Sequence, residues 1–140
     1  MNKPDGTGFL DQVLGTGILL FCVRGLTDEK NTKLPSFIQP FLFGLVVLNI
    51  GICFGLNVGY PINPARDLGA RLFTMLVGYG TDAFTAFSNW SYVPVVACHL
   101  GAIIGSLLYD ILIGWHFNTE GQAKDENENK KKAIEEVITK

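Results

Sequence analysis

The chain has 140 residues, of which 48% are hydrophobic, with 16 glycines and a mean hydropathy of +0.28. That average holds despite a charged and polar C-terminal tail, so the remaining body is too apolar for a small soluble domain. A formal net charge of −2 argues against nucleic-acid binding and against strong attraction to an anionic membrane surface.

Cys22, Cys53 and Cys98 are widely separated, each in an apolar run, and show neither CxxC spacing nor a disulfide pattern. They read as packing residues. Two histidines argue against a histidine-based metal site, and no cofactor or metal is called for. The segment after Met1 lacks the basic region and small-residue cleavage site of a signal peptide, so the first apolar segment is expected to be retained.

The first span is expected from about Gly8 to Leu26, close to the ~20 residues a bilayer core requires. Asp11, Gln12 and Arg24 lie near its ends. The polar link from Thr27 to Pro35 reads as a loop. A second span follows from about Phe37 to Val58, with Pro40 tolerable in its first turn. Gly51, Gly55 and Gly59 recur at four-residue spacing, which clears one helical face for close packing or for a passing molecule.

Next comes Asn63-Pro64-Ala65-Arg66-Asp67, between two strongly apolar stretches. An arginine in such a setting is costly unless it faces water, so it marks a pore or binding site. Asn63 is a good N-cap, and Pro64 suits the first helical position, where no N–H is needed. The helix from about Pro64 to Val77 would reach only about 20 Å, against a hydrocarbon core of about 30 Å. A re-entrant half-helix fits better, because irregular backbone at that depth is tolerated only beside a cavity or inside protein. Its N-terminal dipole would point at whatever passes.

Gly78 to Asp82 is expected to end the half-helix, and Ala83 to Ser91 reads as a loop. The third span is expected from about Tyr92 to Trp115, with Pro94 in its first turn and Gly101 and Gly105 forming a GxxxG face. Trp90, Tyr92 and Trp115 fall where an aromatic belt would lie. The tail from residue 117 reads as disordered, with partner or lipid binding as the alternative reading of its Lys130-Lys131-Lys132 run. Lysine and arginine distribution places Arg24, Lys30, Lys33 and the tail on the cytoplasmic side, and the half-helix opens outward. The expected fold class is thus an all-α membrane protein, with residues 1–116 forming three spans plus one half-helix.

Asn63-Pro64-Ala65-Arg66-Asp67 after two spans, then Leu72-Phe73-Thr74 and Val93-Pro94-Val95-Val96, resembles the second half of the aquaglyceroporins. These are the glycerol-conducting branch of the major intrinsic protein (aquaporin) family, and the resemblance covers about residues 8–116. It implies an aquaporin-like helical bundle built from two inverted repeats, assembled as homotetramers in the plasma membrane, with glycerol and water as permeants. Asp67 and Arg71 resemble the acidic and basic markers of glycerol conductors, and i,i+4 spacing lets them meet on a helix. Tyr60 resembles the aromatic marker outside the narrowest point, and Pro94-Val95 the Pro-aliphatic pair of the last span.

The resemblance also implies that Arg66, Tyr60 and Gly51 form the constriction, with Gly51 leaving room for a carbon chain. Carbonyls of Gly59, Tyr60 and Pro61 would accept hydrogen bonds along the opposite wall, and Asn63 would donate its amide at the pore centre. The fixed donors of Arg66 suit polyol hydroxyls, and its charge together with the half-helix dipole opposes cations. Gln12 falls where the family braces the re-entrant loop; read from the residues alone it is an interfacial polar side chain. His99 reads as a packed or interfacial residue, against a pH sensor.

The expected function is a membrane channel, or the C-terminal half of one, passing small neutral solutes. The alternative is a non-conducting truncated form or fragment that associates with full-length channel subunits. An enzyme is not expected, because no nucleophile triad, HExxH motif or converging carboxylate pair occurs in the spans.

Overall fold

The computed structural model describes residues 6–117, with the backbone alone at 87 and 88. The tail lysines lie outside the described residues. Among the described residues all regular structure is helical. Three helices are long and apolar enough to cross a membrane: Gly6–Thr27, Gln39–Val58 and Tyr92–Phe117, with mean hydropathies of 1.5, 2.2 and 1.9. The chain is an all-helical membrane protein.

Helix α1 (Gly6–Thr27) and helix α2 (Gln39–Val58) are joined by a loop in which the Lys30 and Asn31 N–H groups turn back onto Asp28. Pro40 sits in the first turn of α2, where a missing N–H breaks no helical bond. Gly59 closes α2 in the left-handed region (φ 78°), its N–H bonded to the Gly55 carbonyl at 3.2 Å. Residues 59–63 then run without regular structure to helix α3 (Pro64–Thr74). A π-helical turn, Met75–Tyr79, extends α3 until Gly78 breaks it at φ 98°.

Asp82–Asn89 forms a helix, α4, where the sequence suggested a loop. Asp82 sits favourably in its first turn, and the segment holds no proline or glycine to interrupt it. Helix α5 (Tyr92–Tyr109) runs on through a π-helical stretch at Asp110–Gly114.

The tightest packing joins α1 to α5. A Cβ added at Gly105 would come within 2.0 Å of the Gly17 carbonyl oxygen, and one at Gly101 within 2.3 Å of the Val13 oxygen. These backbones are therefore in direct contact, as small-residue faces allow in membranes. Ile50, Ile62, Val93, Ala97, Cys98 and Tyr109 are the buried apolar residues. Helix α2 buries one residue, Ile50, and α3 buries none, so both present wide apolar faces. Leu56 is 99% exposed and Leu76 78%.

At the far end of α1, Tyr109 is buried and donates to Asp28 Oδ2 at 2.9 Å, while Asn31 donates to its hydroxyl at 3.3 Å. Arg24 pairs with Asp110 and lies over the Tyr109 ring. Such a cluster ties the loop after α1 to the end of α5.

Candidate functional site

Asn63 has an extended backbone (φ −129°, ψ 105°), and its Oδ1 accepts the Arg66 N–H at 3.1 Å. It thereby satisfies one of the orphan amides at the start of α3. With Oδ1 so engaged, the amide nitrogen of Asn63 remains as the donor. Pro64 and Ala65 complete the first turn. Arg66 follows on an exposed face, with Asp67 beside it.

The Arg66 guanidinium carbon lies 5.4 Å from the centre of the Tyr60 ring, within cation–π range. Tyr60 takes a left-handed backbone (φ 43°), and a tyrosine held there costs roughly 1–3 kcal/mol. Its ring covers α2 at Gly51, where an added Cβ would meet Tyr60 Cζ at 3.0 Å. The missing side chain at Gly51 thus lets the Tyr60 ring lie close against α2.

The loop carbonyls are not all free. The Tyr60 carbonyl accepts the Ile62 N–H at 2.8 Å, and the Pro61 carbonyl accepts Cys98 Sγ–H at 3.5 Å, a weak bond from α5. Each retains a second lone pair. Gln12 is fully buried, but neither its Oε1 nor its Nε2 has a hydrogen-bond partner. It makes no direct bond to the loop, which instead satisfies the Ile62 N–H internally.

Asp67 and Arg71 form a bidentate pair on α3, with Nε–Oδ2 at 2.6 Å and Nη2–Oδ1 at 3.2 Å. Both side chains are sheltered, at 16% and 20% exposure. Arg71 Nη1 also donates to the Ala83 carbonyl, tying α3 to α4. Pro94 is buried at the start of α5 and Val95 is half-buried beside it. Val95 also offers its carbonyl to His99 Nδ1 at 2.6 Å.

Two cavities meet at Arg66. One, of about 310 Å³, is lined by Tyr60, Asn63, Arg66, Thr16, Cys98 and His99 among others. The second, of about 410 Å³, is bordered by Gly59, Pro61, Arg66, Asp67, Arg71 and Trp90 among others. Sequence reasoning did not place His99 or Thr16 at this site. The available signal was a polar imidazole inside an apolar span, which by default marks function.

The major intrinsic protein family model matches residues 3–109. The chain belongs to the major intrinsic protein family. It is 45% identical over 109 residues to aquaporin-10 of Homo sapiens, a match covering 78% of this chain and 36% of that protein. It is 41% identical over 125 residues to aquaporin-10 of Milnesium tardigradum, covering 81% and 31%. It is also 38% identical over 110 residues to aquaglyceroporin-2 of Rhizophagus irregularis, covering 79% and 35%. The chain spans about a third of the length of these curated relatives.

Proposed function

We propose that residues 1–116 form one wall of a channel for the passive passage of glycerol, water and other small neutral solutes. The observation that carries this reading is Arg66, positioned over the Tyr60 ring where two cavities meet. Its guanidinium offers fixed donors to hydroxyls, and the ring offers an apolar edge to carbon. That pairing suits a polyol better than an ion, because the arginine charge and the N-terminal dipole of α3 both oppose cations. The names of the relatives, aquaporin and aquaglyceroporin, agree with water and glycerol as permeants.

The wall is one-sided. Its complement is a second half contributed by the same polypeptide or another, and the completed channel sits in the plasma membrane as a homotetramer with the tail cytoplasmic. The exposed apolar faces of α2 and α3 favour a second reading, in which this chain conducts nothing itself and associates with full-length subunits.

The test is glycerol and water flux in vesicles carrying a completed channel, with the other half taken from a relative. Arg66→Ala should raise ion leak and change the glycerol-to-water ratio. Fluxes indistinguishable from the parent would remove Arg66 from the permeation path.

A further inference from the structure

His99 lines the cavity that also holds Asn63 and Arg66, and its side chain is exposed there in the middle of α5. Its Nδ1 lies 2.6 Å from the Val95 carbonyl oxygen, one helical turn back. A carbonyl can only accept, so Nδ1 must carry the hydrogen, and the neutral ring then presents Nε2 as a bare acceptor. Of the other polar side chains at this cavity, Arg66 and Asn63 supply donors, while the Thr16 and Tyr60 hydroxyls can each donate and accept. Arg66 has no acceptor at all, and Asn63 spends its Oδ1 on the Arg66 amide, leaving its nitrogen to donate. A hydroxyl is both donor and acceptor. A hydroxyl whose oxygen is bound by the Arg66 and Asn63 donors still needs an acceptor for its own hydrogen, which is costly to leave without a partner away from water.

We propose that His99 Nε2 is a hydrogen-bond acceptor for permeant hydroxyls in this cavity, beside the Thr16 and Tyr60 hydroxyls and complementing the donors of Asn63 and Arg66. The ligand is a hydroxyl, whether on water or on a polyol. This proposal rests on the pore reading given above and adds a specificity-determining residue to it. A polyol has several hydroxyls fixed on one carbon chain, so it depends on the placed acceptor more than water does, which can turn to another neighbour.

The chain contains two histidines, which makes side-chain nitrogen NMR of the full chain in nanodiscs readable. With 15N-labelled histidine, and His99→Gln used to assign the signals, the expected result is a protonated Nδ1 and a bare Nε2 at His99. Glycerol should shift the Nε2 resonance upfield in a saturable way. Acetone, which accepts but cannot donate, should not. A His99 ring protonated at Nε2 alone, an Nε2 unresponsive to glycerol, or an equal response to acetone would each overturn the assignment.

In the completed channel, His99→Leu should lower glycerol flux several-fold relative to water, and His99→Gln, which restores an acceptor, should recover much of the ratio. An unchanged ratio in His99→Leu also overturns the proposal. Normal glycerol flux in the parent with an unresponsive His99 would sink this inference alone, whereas no glycerol flux in the parent would sink the pore reading with it.

Discussion

The Arg66 guanidinium carbon stands 5.4 Å from the centre of the Tyr60 ring, and that same ring fills the space above Gly51 on α2. The backbone just before α3 thus fixes the arginine through a side chain braced on another helix. Disturbing α2 at Gly51 should be felt at Arg66.

Gly51→Ala tests that linkage. The new methyl would meet Tyr60 Cζ at 3.0 Å, so the ring must move. Overpacking of this kind costs about 1–3 kcal/mol. The expected outcome is a lower unfolding temperature in detergent and a shifted glycerol-to-water ratio in the completed channel. Tyr60→Leu should relieve the clash in the double variant, and simple additivity of the two changes would refute the contact.

Asn63 can be dissected into two roles. Asn63→Ala should destabilise the start of α3 by about 0.5–2 kcal/mol, because the cap to the Arg66 amide is lost. Asn63→Ser keeps a capping oxygen and removes the amide donor. Stability measured by thermal unfolding should be largely retained in the serine variant while its solute flux falls. Equal loss of stability in both variants would count against the capping assignment.

The Asp67–Arg71 pair should be stronger than a surface pair. Exposed i,i+4 pairs contribute about 0.3–0.5 kcal/mol. Here the contact is bidentate, sheltered, and continued to the Ala83 carbonyl. A double-mutant cycle with Asp67→Asn and Arg71→Gln, read by chemical unfolding in detergent, should return a coupling above that range. Additive single effects would show that the pair contributes nothing beyond its members.

Gly105→Ala should separate α1 from α5, since its Cβ would lie 2.0 Å from the Gly17 oxygen and backbone cannot step aside as a side chain can. Gly44→Ala is the matched control, because nothing lies within 4 Å of a Cβ there. Thermal unfolding should show a loss of several degrees for the first. The second should be neutral or stabilised by up to about 1 kcal/mol, the usual helix gain of alanine over glycine.

How much of this could be read from sequence depends on how local the determinant is. Three apolar segments of bilayer length identify three spans, because length and hydropathy alone decide that. The start of α3 is also local chemistry: Asn63 accepts from an amide three residues on, and Pro64 needs no N–H. Helix α4 escaped notice because eight residues are too few to display a helical period.

The position of the Tyr60 ring was not legible. It follows from two consecutive left-handed residues, Gly59 and Tyr60, which swing the ring back over α2. The role assigned to His99 was hidden for a similar reason, since it needs the rotamer that binds the Val95 carbonyl and a cavity shared with another element. Gln12 shows the opposite case. Its burial is complete, but its amide makes no direct bond to the loop, whose Ile62 N–H bonds to the Tyr60 carbonyl.

The most direct test of a one-sided channel wall is stopped-flow glycerol and water permeability of vesicles carrying residues 1–140 alone, at a density where crosslinking shows monomers. Helices α2 and α3 bury almost nothing within the described residues, and the cavities at Arg66 are partly open. The account predicts permeability no greater than that of empty vesicles, and selective glycerol flux once the complementary half is supplied. Robust, selective glycerol flux from the monomeric chain alone would contradict it.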